Sequence, residues 1–517
     1  MTGAPGIANA SEDATVPART TPKVIPKPVS MRTVPGQAFR LTPDTRIVIR
    51  STSPEVRQVG QDLAALLRPS TGYPLPVVPQ AESVPHSIVL RLSGTDRLGQ
   101  EGYRLDVTHG GVRLRANTPE GLYNGVQTLR QLLPPRVESD TVQSGPWTVR
   151  GVHVVDHPRF SWRGAMLDVS RHFFTVAQVE HYIDLISMYK INTLHLHLSD
   201  DQGWRIMIDS WPRLATYGGS TKVGGGPGGY YTKQEYAEIV EYAADHFITV
   251  VPEIDGPGHV NAALASYAKL NCDGTAPPLY TGTSVGFSSL CVDKPITYEF
   301  YDDVMRELAA MTPGPYIHMG GDEAHSTTHD DYVKFVQRAE RIIHDHGKKV
   351  IGWQAIARGD LSSSSVSQYW GTASGSEPGT DIARTAVGQG MKLVMSPANH
   401  AYLDMKYNED TKLGLHWAGY TSVRDSYQWD PATLIDGVTE HDVLGVEGPL
   451  WSETLEKSDD IEFMAFPRLP GLAEIGWSPA QGRSWDEYKA RLATQGPRWD
   501  VMGVNYYHSP QVPWDPA

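Results

Sequence analysis

The sequence predicts an α/β protein, a (β/α)8 TIM barrel preceded by a smaller α+β domain. Three observations carry that expectation. The 517 residues exceed what one small domain needs. From Pro158 onward, eight short apolar runs alternate with amphipathic helical stretches. The chemically best-equipped residues fall at or just after the C-terminal ends of those runs, where the loops of such a barrel converge.

Residues 1–23 read as a disordered Ala/Thr/Pro tail without a charged-then-apolar leader pattern. The α+β domain is expected over residues 24–155. Ser53-Pro54-Glu55 starts a helix, a capping residue followed by proline at the first helical position. Val56, Val59, Leu63, Leu66 and Leu67 follow at helical spacing. Residues 88–92 read as a buried strand. Tyr103, Leu105 and Val107 alternate with polar residues, Gly110-Gly111 turns the chain, and Val112 and Leu114 alternate back as a hairpin. A second helix opens at Thr118-Pro119-Glu120, runs through Leu122, Val126, Leu129 and Leu133, and stops at Pro134-Pro135. Nothing here looks catalytic, so the domain is assigned a supporting role.

The barrel is expected over residues 156–517. Its strands are placed at 164–169, 193–198, 248–254, 316–319, 350–353, 366–370, 393–395 and 443–446. A Thr175/Gln178 capping box opens the first helix, which runs to Lys190. Thr232 and Glu235 cap a later one, and another passes through Val333, Val336, Ile342 and Ile343 to end at Gly347. The connections after strands five to seven are the least distinct.

Hydrophobic residues make up 40%, ordinary for a globular protein, and no run approaches the ~18 apolar residues of a membrane span. With 45 basic and 59 acidic residues the net charge is −14, which repels nucleic acid and anionic lipid and is compatible with a neutral substrate. Cys272 and Cys291 lack the spacing of a metal site. As a disulfide they clip a surface loop, stabilising by roughly 3 kcal/mol, and imply an oxidising compartment. The alternative is two unpaired thiols.

The sharpest signal is His318-Met319-Gly320-Gly321-Asp322-Glu323. Adjacent carboxylates at a strand end cost repulsion and desolvation. In a regular strand, neighbouring side chains face opposite ways. Both reach one pocket only if the strand breaks, and Gly320-Gly321 is placed to break it. The bland alternative is a buried ion-paired Asp322 beside a solvated Glu323. Arg171, Asp200, Asp255, His259, Trp353, Trp370, Tyr402, Asp404, Trp451 and Glu453 occupy other strand ends. Four large aromatics beside carboxylates make a walled pocket suited to a sugar ring or an acetamido methyl group. His195 and His197 share a strand face, and with His259, His318 and Asp322 they could form a metal set. That pair lies on the second strand rather than the first, and buried strand histidines bonded to neighbouring strands are commoner.

Arg-Gly-Ala-Met-Leu-Asp-Val-Ser-Arg-His-Phe-Phe (163–174), Leu-His-Leu-His-Leu-Ser-Asp-Asp-Gln-Gly-Trp-Arg (194–205), Glu-Ile-Asp-x-Pro-Gly-His (253–259) and the 318–323 motif resemble family 20 of the glycoside hydrolases, most closely bacterial β-N-acetylhexosaminidases. The likeness spans nearly the whole chain, though Gly256 stands where a bulkier residue such as Met is expected. The resemblance implies an exo-acting retaining enzyme that removes terminal β-linked N-acetylglucosamine or N-acetylgalactosamine. Its nucleophile is the substrate's own acetamido oxygen, and an oxazolinium intermediate results. By that resemblance Glu323 is the general acid and base, Asp322 holds the acetamido N–H, and Tyr402 aims the carbonyl. Trp353, Trp370 and Trp451 enclose the sugar. Arg171, Asp200, Asp404 and Glu453 bind hydroxyls, while His259 and Asp255 support Glu323. No cofactor or metal is expected. The expected partners are N-acetylhexosamine-terminated oligosaccharides or glycoconjugates such as chitin fragments, with no nucleic acid or membrane, acting as a secreted monomer. Three other readings compete: a two-carboxylate β-glycosidase, a metal-dependent amidohydrolase, and a non-catalytic sugar-binding protein.

Overall fold

A computed structural model describes residues 23–79, 85–94, 97–372 and 378–516. Apart from Lys23, the tail expected over residues 1–23 lies outside the described residues.

Eight parallel strands close a barrel in chain order: Trp162–Asp168, Thr193–His197, Thr249–Glu253, Tyr316–His318, Lys349–Trp353, Val366–Tyr369, Lys392–Met395 and Val443–Leu450. The eighth strand closes on the first, with Gly445 opposite Trp162 and Leu450 opposite Leu167. Every expected run is a strand; the eighth extends four residues further, to Leu450. Its continuation Glu447-Gly448-Pro449 breaks the apolar pattern, because Glu447 points into the barrel and is bonded there.

The helices start where the capping chemistry places them. Gln178 Oε1 accepts from the Thr175 amide at 2.9 Å, ahead of the helix Val176–Ser187. Thr232 and Glu235 exchange bonds ahead of Lys233–Asp245, at 2.8 and 3.2 Å. The helix His329–Asp345 begins one turn earlier than its apolar spacing shows, capped by Thr328. After the fifth strand the chain makes only a short 3-10 segment, Gln354–Gly359, which accounts for the indistinct pattern there.

The N-terminal domain is a seven-stranded sheet in the order Ser30–Arg40, Thr148–Asp156, Tyr103–Thr108, Gly111–Ala116, Ser87–Leu92, Ile47–Arg50, Val77–Pro79. The expected hairpin pairs Tyr103 with Ala116 and Val107 with Val112. Helices Pro54–Thr71 and Pro119–Leu132 pack their apolar stripes on the sheet, burying Leu63, Leu67, Val126 and Leu129 against Leu90, Leu105 and Leu114. Four strands of this sheet were not expected. Ser30–Arg40 is interrupted at Pro35-Gly36 by a register shift, and Ile47–Arg50 and Val77–Pro79 are too short to show a period.

This domain meets the barrel away from the C-terminal strand ends. Buried Asp156 accepts from Tyr103 Oη at 2.7 Å and from Trp477 Nε1 at 3.0 Å. Arg163, near the start of the first barrel strand, pairs with Glu101. Buried pairs of this kind fix the relative placement of two units more than they add net stability.

Candidate active site

A cavity of about 350 Å³ opens at the C-terminal face of the barrel. Its wall includes Arg171, Asp200, Asp255, His259, Asp322, Glu323, Trp370, Tyr402, Asp404, Trp451 and Glu453, all residues singled out in the sequence. Among the described residues, no part of the wall comes from the N-terminal domain.

The strand break at Gly320-Gly321 is present. Their φ angles are 68° and 98°, and Glu323 itself sits at 43°. A Cβ on Gly320 would stand 1.8 Å from Asp255 Oδ1, and one on Gly321 would stand 2.6 Å from Ile356 Cγ2. Only glycine fits either position. The Gly321 amide donates to Asp255 Oδ1 at 3.1 Å, which pins the turn. Through it, both carboxylates of the adjacent pair reach one cavity. A left-handed φ at a residue with a side chain costs about 1–3 kcal/mol and persists where the surroundings enforce it.

Asp322 is buried, and burial pushes its carboxyl up to about 6, with the neighbouring Glu323 adding in the same direction. It is therefore ionised at neutral pH and neutral in mild acid. Its Oδ1 has no hydrogen-bond partner among the described residues. Asp255, buried against Asp322, is held well above the usual carboxylate range by desolvation and by that neighbour.

Below this pair runs a column of alternating imidazoles and carboxylates. His195 lies between Glu447 and Glu253, at 2.7 and 2.9 Å. His197 lies between Glu253 and Asp200, at 2.5 and 2.7 Å. His259 then bridges Asp200 and Glu323, at 3.1 and 3.2 Å. Carboxylates on both sides raise His195 to about 9 and raise His197 and His259 well above the ordinary imidazole range, against the opposing effect of burial. Both nitrogens of His195 and of His197 are engaged by carboxylates, so the two rings tie neighbouring strand ends together through hydrogen bonds.

Part of the cavity wall is polar and unsatisfied. Both carboxylate oxygens of Asp404, Oε2 of Glu453 and Nε1 of Trp370 are buried without partners among the described residues. Native proteins leave few such groups, and several on one cavity wall mark a place for a ligand with many hydroxyls. Burial raises both carboxyls, Asp404 well above its usual range. Trp451 lies 6.2 Å from Tyr402 and 5.6 Å from Trp353, ring centre to ring centre.

Two residues sit differently from expectation. Asp200 is 1% exposed and its oxygens are already taken by His197, His259 and Arg171, the last at 2.9 Å. It anchors other site residues rather than offering a free acceptor to a hydroxyl. Trp353 is wholly buried behind Trp451 and is not part of the cavity wall; its Nε1 donates to Glu253 Oε1 at 2.8 Å. At position 256, a Cβ would meet the Phe335 ring at 3.0 Å, so Phe335 fills the space a bulkier residue would claim.

The sequence reading left out Thr283, Val285, Leu415 and Trp417, which also line the cavity. They come from long loops that carry no periodic signal. It also left out Glu253 and Glu447 as partners of the histidines; a carboxylate inside an apolar strand run was the available clue. Cys272 and Cys291 are joined in a disulfide, and Thr283 and Val285 lie within the loop it closes.

Comparison with known proteins agrees with this geometry. Residues 160–480 match "Glycosyl hydrolase family 20, catalytic domain", and residues 21–157 match "Glycosyl hydrolase family 20, domain 2". The chain is 45% identical over 491 residues to a β-N-acetylhexosaminidase of Cellulomonas fimi, covering 95% of this chain and 97% of that one. The structure of a family 20 β-N-acetylhexosaminidase from Streptomyces coelicolor A3(2) superimposes with a TM-score of 0.93 at 57% identity, covering 96% of this chain and 99% of that one. A mutant Streptomyces plicatus β-hexosaminidase in complex with its product GlcNAc matches at the same TM-score of 0.93 and 57% identity, over 96% of this chain and 98% of that one.

Proposed function

The chain belongs to glycosyl hydrolase family 20 and is a β-N-acetylhexosaminidase, and from that premise we propose that it releases terminal β-linked N-acetylglucosamine or N-acetylgalactosamine by substrate-assisted catalysis. The observation that carries this reading is Asp322 Oδ1, a buried carboxylate oxygen without a hydrogen-bond partner among the described residues, beside the aromatic wall. An acetamido N–H satisfies that oxygen, and the aromatic wall beside it takes the acetyl methyl group that a plain hydroxyl lacks.

In the first step the acetamido carbonyl oxygen attacks the anomeric carbon, and the bond to the leaving oxygen breaks. Glu323 gives that oxygen its proton. Positive charge spreads onto the acetamido nitrogen, where anionic Asp322 accepts the N–H bond and stabilises it. Tyr402 steadies the carbonyl oxygen from the opposite wall. Intramolecular attack replaces a bimolecular step, so no second carboxylate nucleophile is needed. In the second step water adds to the anomeric carbon and reopens the ring, its proton passing to Glu323. The stereochemistry at that carbon is retained after two inversions.

Asp404 and Glu453, whose buried oxygens lack partners among the described residues, receive the ring hydroxyls of the terminal sugar. The disulfide supports a place outside the reducing cytoplasm.

The test is release of nitrophenol from the p-nitrophenyl β-glycoside of N-acetylglucosamine, beside the plain β-glucoside, with and without EDTA. The reading expects cleavage of the acetamido sugar alone, unaffected by EDTA. Comparable rates on both sugars, or loss of activity with chelator, would contradict it.

A further inference from the structure

Asp322 lacks the anchors that hold its neighbour. The Glu323 carboxylate is bonded to His259 Nε2 at 3.2 Å, and the Glu323 carbonyl accepts from the His325 amide at 2.6 Å. In Asp322, Oδ1 has no partner among the described residues, and Oδ2 lies 3.6 Å from His259 Nε2, beyond hydrogen-bond reach. The aim of this carboxylate is therefore set by the backbone that carries it.

That backbone leaves the barrel at Gly320-Gly321, where rotation is least restricted. Four hydrogen bonds take up the polar groups of the pair. The Gly320 amide donates to His318 Nδ1 at 3.1 Å, and the Gly320 carbonyl accepts from the Trp353 amide at 2.8 Å. The Gly321 amide donates to Asp255 Oδ1 at 3.1 Å. The fourth group, the Gly321 carbonyl, accepts from Tyr332 Oη at 2.6 Å. This carbonyl belongs to the peptide unit that joins Gly321 to Asp322, so its direction governs where the Asp322 side chain points. Tyr332 lies in the first turn of the helix His329–Asp345, with its own amide bonded to the Thr328 carbonyl at 2.9 Å. The segment bearing Asp322 and Glu323 is thus tied back to its start. The Tyr332 side chain is buried, and burial, with Asp322 and Asp255 nearby, holds the phenol well above its ordinary range, so it remains a donor at every working pH. Without this hydroxyl the carbonyl would be a buried acceptor lacking its partner. Gly321, at a φ of 98° and with no Cβ, leaves the peptide free to turn and relieve it.

We propose that Tyr332 is a positioning residue for the reaction: its hydroxyl holds the Gly321–Asp322 peptide in one orientation and so aims the Asp322 carboxylate at the acetamido nitrogen. Tyr332 is not part of the sugar cavity's wall, and it acts through Asp322. This rests on the role given to Asp322 above.

The experiment is a double-mutant cycle. Values of kcat and KM on the p-nitrophenyl β-glycoside of N-acetylglucosamine are measured for the wild type, Tyr332→Phe, Asp322→Asn and the double variant, each beside a thermal melt. Phenylalanine keeps the ring and removes only the donor. Tyr332→Phe is expected to lower kcat by about tenfold or more with KM little changed, as misplacement of a reacting group does. In the Asp322→Asn background the same substitution is expected to cost little more, because the group it aims is already gone. A hydroxyl that served the fold alone would lower kcat by the same factor in both backgrounds, or lower the melting temperature with kcat intact. Either result, or a Tyr332→Phe protein that does not fold, would overturn the proposal. An Asp322→Asn enzyme with wild-type turnover would instead overturn the reading of Asp322 beneath it.

Discussion

His259 Nε2 lies 3.2 Å from Glu323 Oε2, and the histidine holds that position at a backbone φ of 54°, supported by Asp200 on its other nitrogen. An imidazolium there orients the general acid and stabilises the carboxylate left behind when its proton goes to the leaving oxygen. Asn tolerates the left-handed backbone better than most residues, so His259→Asn isolates the lost ring. The expected result is a fall in kcat of about a hundredfold, with KM little changed. Steady-state kinetics beside a thermal melt checks it.

Asp322→Asn is expected to lower kcat by about a hundredfold to a thousandfold, since it removes the anion facing the developing charge. Its stability should move the other way. Burial raises the folded pKa of Asp322 to about 6, above its unfolded value, so the native state favours the protonated form. That contribution is fully present below the unfolded pKa and is lost as pH rises to about 6. At pH 7 the ionised group is a burden that asparagine removes. A melting temperature at or above the wild type's, with turnover lost, is the expected combination.

The same shift sets the acid limb of activity. The wild-type kcat/KM is expected to fall about tenfold per pH unit below about 6, because the working form of Asp322 is ionised. An ordinary carboxylate would carry the plateau about two units lower. A pH profile of kcat/KM from 4 to 8 reads this directly, and the limb should be absent from the residual activity of Asp322→Asn.

Gly320→Ala places a methyl group 1.8 Å from Asp255 Oδ1 at a φ of 68°. The turn must shift, carrying Asp322 and Glu323 with it. Overpacking of this kind costs about 1–3 kcal/mol, which a large domain survives. Loss of activity with a folded, less stable protein is expected from an assay and a melt run together.

The disulfide links stability to substrate binding, because Thr283 and Val285 lie in the loop it closes. Replacing Cys272 and Cys291 together with Ser is expected to lower stability by roughly 2–5 kcal/mol. KM should rise severalfold, since Thr283 and Val285 line the cavity, and kcat should fall with it, since Gly286 of the same loop accepts from Ser326 Oγ at 2.8 Å beside the Glu323 segment.

The barrel was legible because its strands are short apolar runs set between capped helices, and Thr232-x-x-Glu235 marks a start without any tertiary information. The site was legible because Asp322, Tyr402, Glu453 and their companions sit at strand ends, where this fold concentrates chemistry. Trp417 was not, since its loop has no period, and its place beside Tyr402 at 5.7 Å arises only on folding. Asp200 was assigned too far forward: sequence places it at a strand end but does not show that His197, His259 and Arg171 consume its oxygens. The short strands Ile47–Arg50 and Val77–Pro79 are made by pairing with neighbours, which local patterning does not record.

The central claim is that the nucleophile belongs to the substrate. It is tested most directly by a series of p-nitrophenyl β-glycosides whose N-acetyl group carries zero, one, two or three fluorine atoms. Each fluorine withdraws electrons from the carbonyl oxygen and weakens it as a nucleophile without changing the leaving group. The account predicts a steep, progressive fall in kcat/KM across the series. A flat series would show that the acetamido oxygen takes no part in breaking the bond.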